Sequence, residues 1–193
     1  FNADFNVSGA RFDVMGDLPP VRDAQGKVHV RGANTDIELQ SGTAFLENGQ
    51  TAAIADGTMK IPYERGKTTI ADLDVEVLGQ ASALAAIAAR DPVNAMRKAP
   101  FEITDLSGNA RARITAKFPL KKDAARSGTK WSAEIALDNV SVKKPFDGQT
   151  LSEANGTLSA NPSVIKISAD AKLNGLPSKL KLEQPLGDNG ARK

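Results

Sequence analysis

Strict alternation of apolar and polar residues is the feature that most narrows what this chain can fold into. Its cleanest stretch sets Ala110, Ala112, Ile114, Ala116 and Phe118 on one side and Arg111, Arg113, Thr115 and Lys117 on the other. Side chains alternate across a β-strand, so this spacing gives a strand with one apolar face; a helix would scatter the five around its circumference. The pattern returns as Ile165, Ile167, Ala169, Ala171 and Leu173 against Lys166, Ser168, Asp170 and Lys172, then as Leu180 and Leu182 against Lys179, Lys181 and Glu183. Between them Asn174-Gly175-Leu176-Pro177 reads as a turn. Further strands follow from Val28 and Val30, Ile37 and Leu39, Met59 and Ile61, Leu73, Val75 and Val77, and Trp131, Ala133, Ile135 and Leu137.

The phase slips at two places. Apolar positions move from Ala3, Phe5 and Val7 to Ala10, Phe12 and Val14 at Gly9, and from Leu137 to Val140 and Val142 at Asp138-Asn139. Bulges or turns there restore one common face. Polar turns such as Asp23-Ala24-Gln25-Gly26, Glu47-Asn48-Gly49 and Glu64-Arg65-Gly66 are short, which makes the joined strands antiparallel and a meander the simplest topology. One helical signal interrupts the alternation at residues 82–89, with Leu84, Ile87 and Ala88 on a stripe. Asp91 can cap a second turn with Pro92 at its first position and Val93 and Met96 following, which extends the insertion to about residue 98.

The expected fold is therefore mostly all-β: a long, twisted antiparallel sheet curled into a groove or half-pipe, with one helical insertion. Residues 1–186 form one domain and 187–193, which lack any pattern, a frayed tail or linker. Because Phe1 to Val7 already alternate, the chain is expected to be a piece of a larger protein.

Composition removes several function classes. Lys plus Arg number 25 and Asp plus Glu 23, far from the concentrated positive field of a nucleic-acid binder. With no cysteine, disulfides, thiolate nucleophiles and cysteine-ligated zinc are out. The single histidine, His29, is expected to be an exposed bystander on the polar side of its strand, which leaves no histidine pair for a metal. Asp72, Asp74 and Glu76 project from one side of a strand, but alternate residues stand roughly 6 to 7 Å apart, too far to converge on one cation. They read as a solvated face. Gly66-Lys67-Thr68 lacks the first glycine of a phosphate-binding loop and is followed by a strand, so that motif is rejected. No catalytic residue, cofactor or metal site is expected. Arg111, Arg113, Lys117, Lys121, Lys122, Arg126 and Lys130 make a basic stretch in which Arg111, Arg113 and Lys117 are the candidate contacts to anionic lipid headgroups.

The strongest constellation is the apolar face itself, which has to be buried against something. Either the helix and a curled sheet cover it, or a ligand does. Aromatics are only 5% of the chain, and a sandwich filled from within would use more large side chains to close the roughly 10 Å gap between sheets. Val75, Val77, Ala112, Ile114, Ala116, Ile165, Ile167, Ala169 and Ala171 are the candidate lining of a lipid groove.

The run Leu18-Pro19-Pro20-Val21-Arg22-Asp23-Ala24-Gln25-Gly26-Lys27-Val28-His29-Val30 resembles openings found in AsmA-like envelope proteins, particularly the YhdP-type branch. Ala55-Asp56-Gly57-Thr58-Met59-Lys60-Ile61, the Leu84-centred helix, and Leu106-Ser107-Gly108-Asn109-Ala110 leading to Phe118-Pro119-Leu120 are similar to that branch's order of elements. Asn155-Gly156-Thr157-Leu158 and Leu173-Asn174-Gly175-Leu176-Pro177 resemble its repeated strands. The resemblance spans roughly residues 10–186. It implies a periplasmic segment of a protein anchored in the bacterial inner membrane, which holds phospholipid acyl chains in an apolar groove for transport between inner and outer membrane and has a part in outer-membrane biogenesis. The alternative is an envelope assembly or scaffold module that binds partner proteins through its sheet edges.

Overall fold

The computed structural model describes residues 1–14, 16–120, 129–145 and 148–186. Among them the chain runs through β1 (Asn2–Phe12), β2 (Val21–Arg31), β3 (Asn34–Phe45), β4 (Thr51–Ile61) and β5 (Ile70–Gln80). Then come α1 (Ala81–Ala88), β6 (Leu106–Pro119), β7 (Lys130–Val142), β8 (Leu151–Ala160), β9 (Val164–Leu173) and β10 (Leu176–Pro185). All ten strands form one sheet in sequence order, every neighbouring pair antiparallel. The sheet is mostly-β meander throughout, is not closed into a barrel, and has β1 and β10 as its edges. The 187–193 tail lies outside the described residues.

Both expected phase slips are bulges. The β1 register shifts between Val7 and Ala10 around Gly9, at φ 63°, and that of β7 between Leu137 and Val140 beside Asn139, at φ 51°. Three things differ from expectation. Asp23-Ala24-Gln25-Gly26 is not a turn but the bulged middle of β2, where Asp23 takes φ 54° and Ala24 is buried. Asn174 and Gly175 alone make the last turn, and Leu176 and Pro177 already belong to β10. Finally, the helix ends at Ala88, and residues 91–98 form turns, because Pro92 and the αL conformation of Asn94, at φ 48°, do not continue a helix.

Helix α1 lies on the apolar face. Leu84 and Ile87 pack against a cluster of Val21, Ala24, Ala44, Ala52, Ile54, Val75 and Val77. Ala81 joins a second cluster with Val140, Ala154 and Ala171. Beyond the helix, the chain straps across from one end of the sheet to the other. The Asp91 carbonyl accepts a 3.1 Å hydrogen bond from the Asp17 amide in the β1–β2 connection, and the Arg97 guanidinium donates to the Leu186 carbonyl just past β10.

That strap fixes the curl. Ten flat strands would span about 43 Å at ~4.8 Å per spacing. Six residues from Asp91 to Arg97 reach at most ~22 Å when fully extended, and the Arg97 side chain with the two hydrogen bonds adds roughly 13 Å, still short of the flat span. The sheet is therefore bent toward the face that carries α1, which makes its apolar side concave.

Gly108 is needed where the sheet bends. It sits at φ 91°, and a Cβ there would lie 2.3 Å from the Asn139 carbonyl oxygen. Gly108→Ala should cost about 1 to 3 kcal/mol in urea unfolding, the usual range for a forced left-handed residue; an unchanged midpoint would show that the β6–β7 crossing relaxes freely.

Candidate functional site

Register carries the apolar candidates into shared rows. One row crosses all ten strands as Val7, Gly26, Leu39, Gly57, Val75, Ile114, Ala133, Ala160, Ile165 and Gln184, each opposite the next. Another runs Ile54, Val77, Ala112, Ile135, Leu158, Ile167 and Leu182 from β4 to β10. A third is Phe12, Val21, Ala44, Ala52, Gly79, Ala110, Leu137, Gly156, Ala169 and Leu180. No charged side chain stands in any of them. Nine positions named from sequence thus share one face, with Ala116 beside Leu73 and Trp131, and Ala171 beside Ser178.

The rows also contain residues that sequence reasoning missed. Ala133, Ile135, Leu158 and Ala160 complete the path from β6 to β9, yet none stood among the candidates. The alternation in β7 signals the first two. In β8 the signal is short, since only Leu158 and Ala160 follow Gly156 in phase before Asn161 ends the strand. Gly156 has a packing reason: a Cβ would come within 2.2 Å of the Ser168 carbonyl oxygen and 2.5 Å of the Ala169 Cα.

Coverage of the face is uneven. Val75 and Val77 belong to the cluster under Leu84 and Ile87, and Ala171 to the one reached by Ala81, so this part is filled by the protein itself. Ile114, Ala116, Ile165 and Ile167 stay half-buried, and at the margins Phe5 is 50% and Leu182 41% exposed. Two hollows, of about 810 and 830 Å³, open around Gln50, Gln80, Asn109 and Asp138, where the first also touches Gly79 and Ala110, and around Asp17, Pro20, Arg90 and Asp91.

The basic candidates lie on the opposite side. Arg111 bonds Glu76, Lys117 is 2.9 Å from Asp72, and Arg113 sits 2.5 Å from Asp74 and 2.6 Å from Asp56. Arg113 is held above its ordinary pKa, first by its hydrogen bond with Asp74, an effect that desolvation opposes. Alternation forces this separation, because a residue between two groove positions points away from the groove. Arg111, Arg113 and Lys117 therefore point away from the apolar face and form a cross-strand ion ladder. The same ladder occupies Asp72, Asp74 and Glu76. Lys121, Lys122 and Arg126 lie outside the described residues.

His29 is half-buried and engaged rather than an exposed bystander. Its Nδ1 is 2.6 Å from Asp4 Oδ1 and its Nε2 3.8 Å from Glu38, while Arg31 donates to Asp4 at 2.7 Å. Among the described residues no group of three or more His, Cys, Asp or Glu could hold a metal, and no helix is long and apolar enough to cross a membrane. No protein-family model, curated protein or solved structure matches the chain.

The Asp4 cluster ties the edge strand β1 to β2. Hydrogen bonds from His29 and then Arg31 hold the Asp4 carboxyl below its usual 3.8. A depressed acid contributes stability that is complete above its unfolded pKa and is lost as pH falls through the folded value. Amides of β1 should therefore lose exchange protection in acid below about pH 4, and Asp4→Asn should flatten that dependence; identical acid profiles for both proteins would remove the cluster from the account.

Proposed function

We propose that this chain is a non-enzymatic segment of a lipid conduit, whose trough holds phospholipid acyl chains in the periplasm on their way between inner and outer membrane. The observation that carries the reading is the uncharged surface, continuous across ten strands and left partly open on its concave side. An acyl chain leaving a bilayer exposes many methylenes at ~0.8 kcal/mol each, a penalty on the order of 10 kcal/mol unless another apolar surface replaces the membrane. Rows of Ala, Val and Ile meet that need and leave room for the ligand above the strands. The AsmA-like pattern of turns and strands supports the same reading and supplies the envelope setting, with the parent anchored in the inner membrane.

Chemistry finds less support. Asp72, Asp74 and Glu76 each stand beside a Lys or Arg on the convex side, which suits a structural ladder better than acid–base work.

A photoactivatable phospholipid probe tests the conduit. The wild type should crosslink within the trough. Ile114→Asp with Ile167→Asp should abolish crosslinking at unchanged circular dichroism, while Arg111→Gln on the other face should leave it intact. Persistent labelling of the double variant, or no labelling of the wild type, would defeat the proposal.

A further inference from the structure

The hollow of about 810 Å³ around Gln50, Gln80, Asn109 and Asp138 is lined mainly from the convex side of the sheet, and we propose that it holds a short neutral saccharide. Two levels of side chains build it. Ala53, Leu78, Arg111 and Ala136 stand opposite one another on β4 to β7, and Gln80, Asn109 and Asp138 stand one level above on β5 to β7. Alternation turns Gly79 and Ala110, which lie between these levels, to the other face, so their main chain is what reaches the hollow. The Arg111 guanidinium bonds Glu76, one level further down. Ala53 and Ala136 are exposed and Leu78 half-buried, which gives an apolar floor on an otherwise charged side. The rim consists of hydrogen-bonding groups. Gln50 Nε2 donates to Gln80 Oε1 at 3.1 Å and to Ser82 Oγ at 2.7 Å, while Gln50 Oε1 accepts from Asn48 Nδ2 at 2.7 Å. The Gln80 amide is thereby oriented so that its nitrogen keeps both hydrogens for another acceptor. Among the described residues, the Asn109 and Asp138 side chains have no hydrogen-bond or ion-pair partner. Asn155 on β8 is already engaged by the Asn139 amide and the Glu153 carbonyl, so the row of free groups ends at β7.

The lining selects among ligand classes. An anion needs an uncommitted cation, and among the described residues lining the hollow the one basic side chain, Arg111, is bonded to Glu76. A divalent metal needs several carboxylates, and Asp138 is the one carboxylate in the described lining. A nucleobase needs a stacking surface, and no aromatic side chain is among the described lining. An extended peptide needs unpaired backbone, whereas β4 to β7 are interior strands paired on both sides. A sugar ring asks for what is present. Its hydroxyls both donate and accept, which suits the amides of Gln80 and Asn109 and the carboxylate of Asp138, and its C–H face suits a floor of alanine and leucine. From β5 to β7 the free groups span ~10 Å at ~4.8 Å per strand spacing, which fits two linked pyranose rings rather than a long chain.

Each neutral hydrogen bond changes binding about two- to tenfold, which puts a site with so few polar groups at dissociation constants on the order of 1 mM. The 193-residue chain is titrated with cellobiose and with di-N-acetylchitobiose to ~20 mM, well past that constant. In nitrogen–proton correlation spectra, at least one of the two sugars should move the side-chain amide signals of Gln80 and Asn109 and the backbone amide of Asp138, and the shifts should saturate. Asn109→Ala and Asp138→Ala should each weaken binding about two- to tenfold, and the double variant should abolish saturation. Asp138→Asn, which keeps an acceptor, should stay within about twofold of the wild type. Glu134→Gln, beyond the floor on the same side, should leave binding unchanged. The wild-type titration decides without any variant having to fold: no saturating shift with either sugar would overturn the proposal. So would shifts that persist in the double variant, or that glycerol reproduces at the same concentration. None of these outcomes bears on acyl-chain binding, which uses the other face of the sheet.

Discussion

Among the described residues, a single sheet whose apolar rows carry no charge and that no second sheet covers is the constraint on which the rest of the structure depends. Ten strands of this kind present more apolar surface than an eight-residue helix can bury. Curling is the remaining way to reduce exposure. The strap from Asp17 to Leu186 holds the curl, and the small side chains of Ala24, Ala52, Ala112 and Ala154 let neighbouring rows close on the inside of the bend.

Alternation alone cannot produce that curl, because a long regular strand keeps its twist and gradually turns its apolar side away. Bulges reset the phase. Gly9 and Asp23 in the first half, and Gly108, Asn139 and Glu153 in the second, adopt positive φ at neighbouring levels of adjacent strands. Each adds a local bend and returns the next apolar residue to the inside. Asn139 and Glu153 also gain local compensation: the Asn155 side chain accepts from the Asn139 amide and donates to the Glu153 carbonyl.

Much of this was legible in the sequence, for a physical reason. A period of two registers directly on the residues, so Ala110 to Phe118 and Ile165 to Leu173 announced both strand and face. A slip such as Gly9 showed itself as a change of phase. Less legible was anything that depends on the neighbouring strand. Asp23 looked like a turn because its residue types suit turns, yet its bulge is defined by pairing with β3. Strand β8 was marked by similarity rather than by alternation, since glycine, serine and threonine occupy so much of it. His29 could be placed on the polar side, but the proximity of Asp4, twenty-five residues earlier, belongs to register. Alternation also placed Arg111 and Arg113 on the far side from Ala112 and Ile114.

Whether the apolar face was filled by its helix or left for a ligand could not be read from periodicity; the helix covers the part around Val75 and Val77. Leu84 and Ile87 close the region of Val75 and Val77, where β2 to β5 gather into a packed core that anchors the bend. Ile114 packs at the margin of that plug, and beyond it Ala116, Ile165 and Ile167 remain half-buried. Here Leu84 and Ile87 close one part of the face, so the stability that they supply does not depend on what covers the rest.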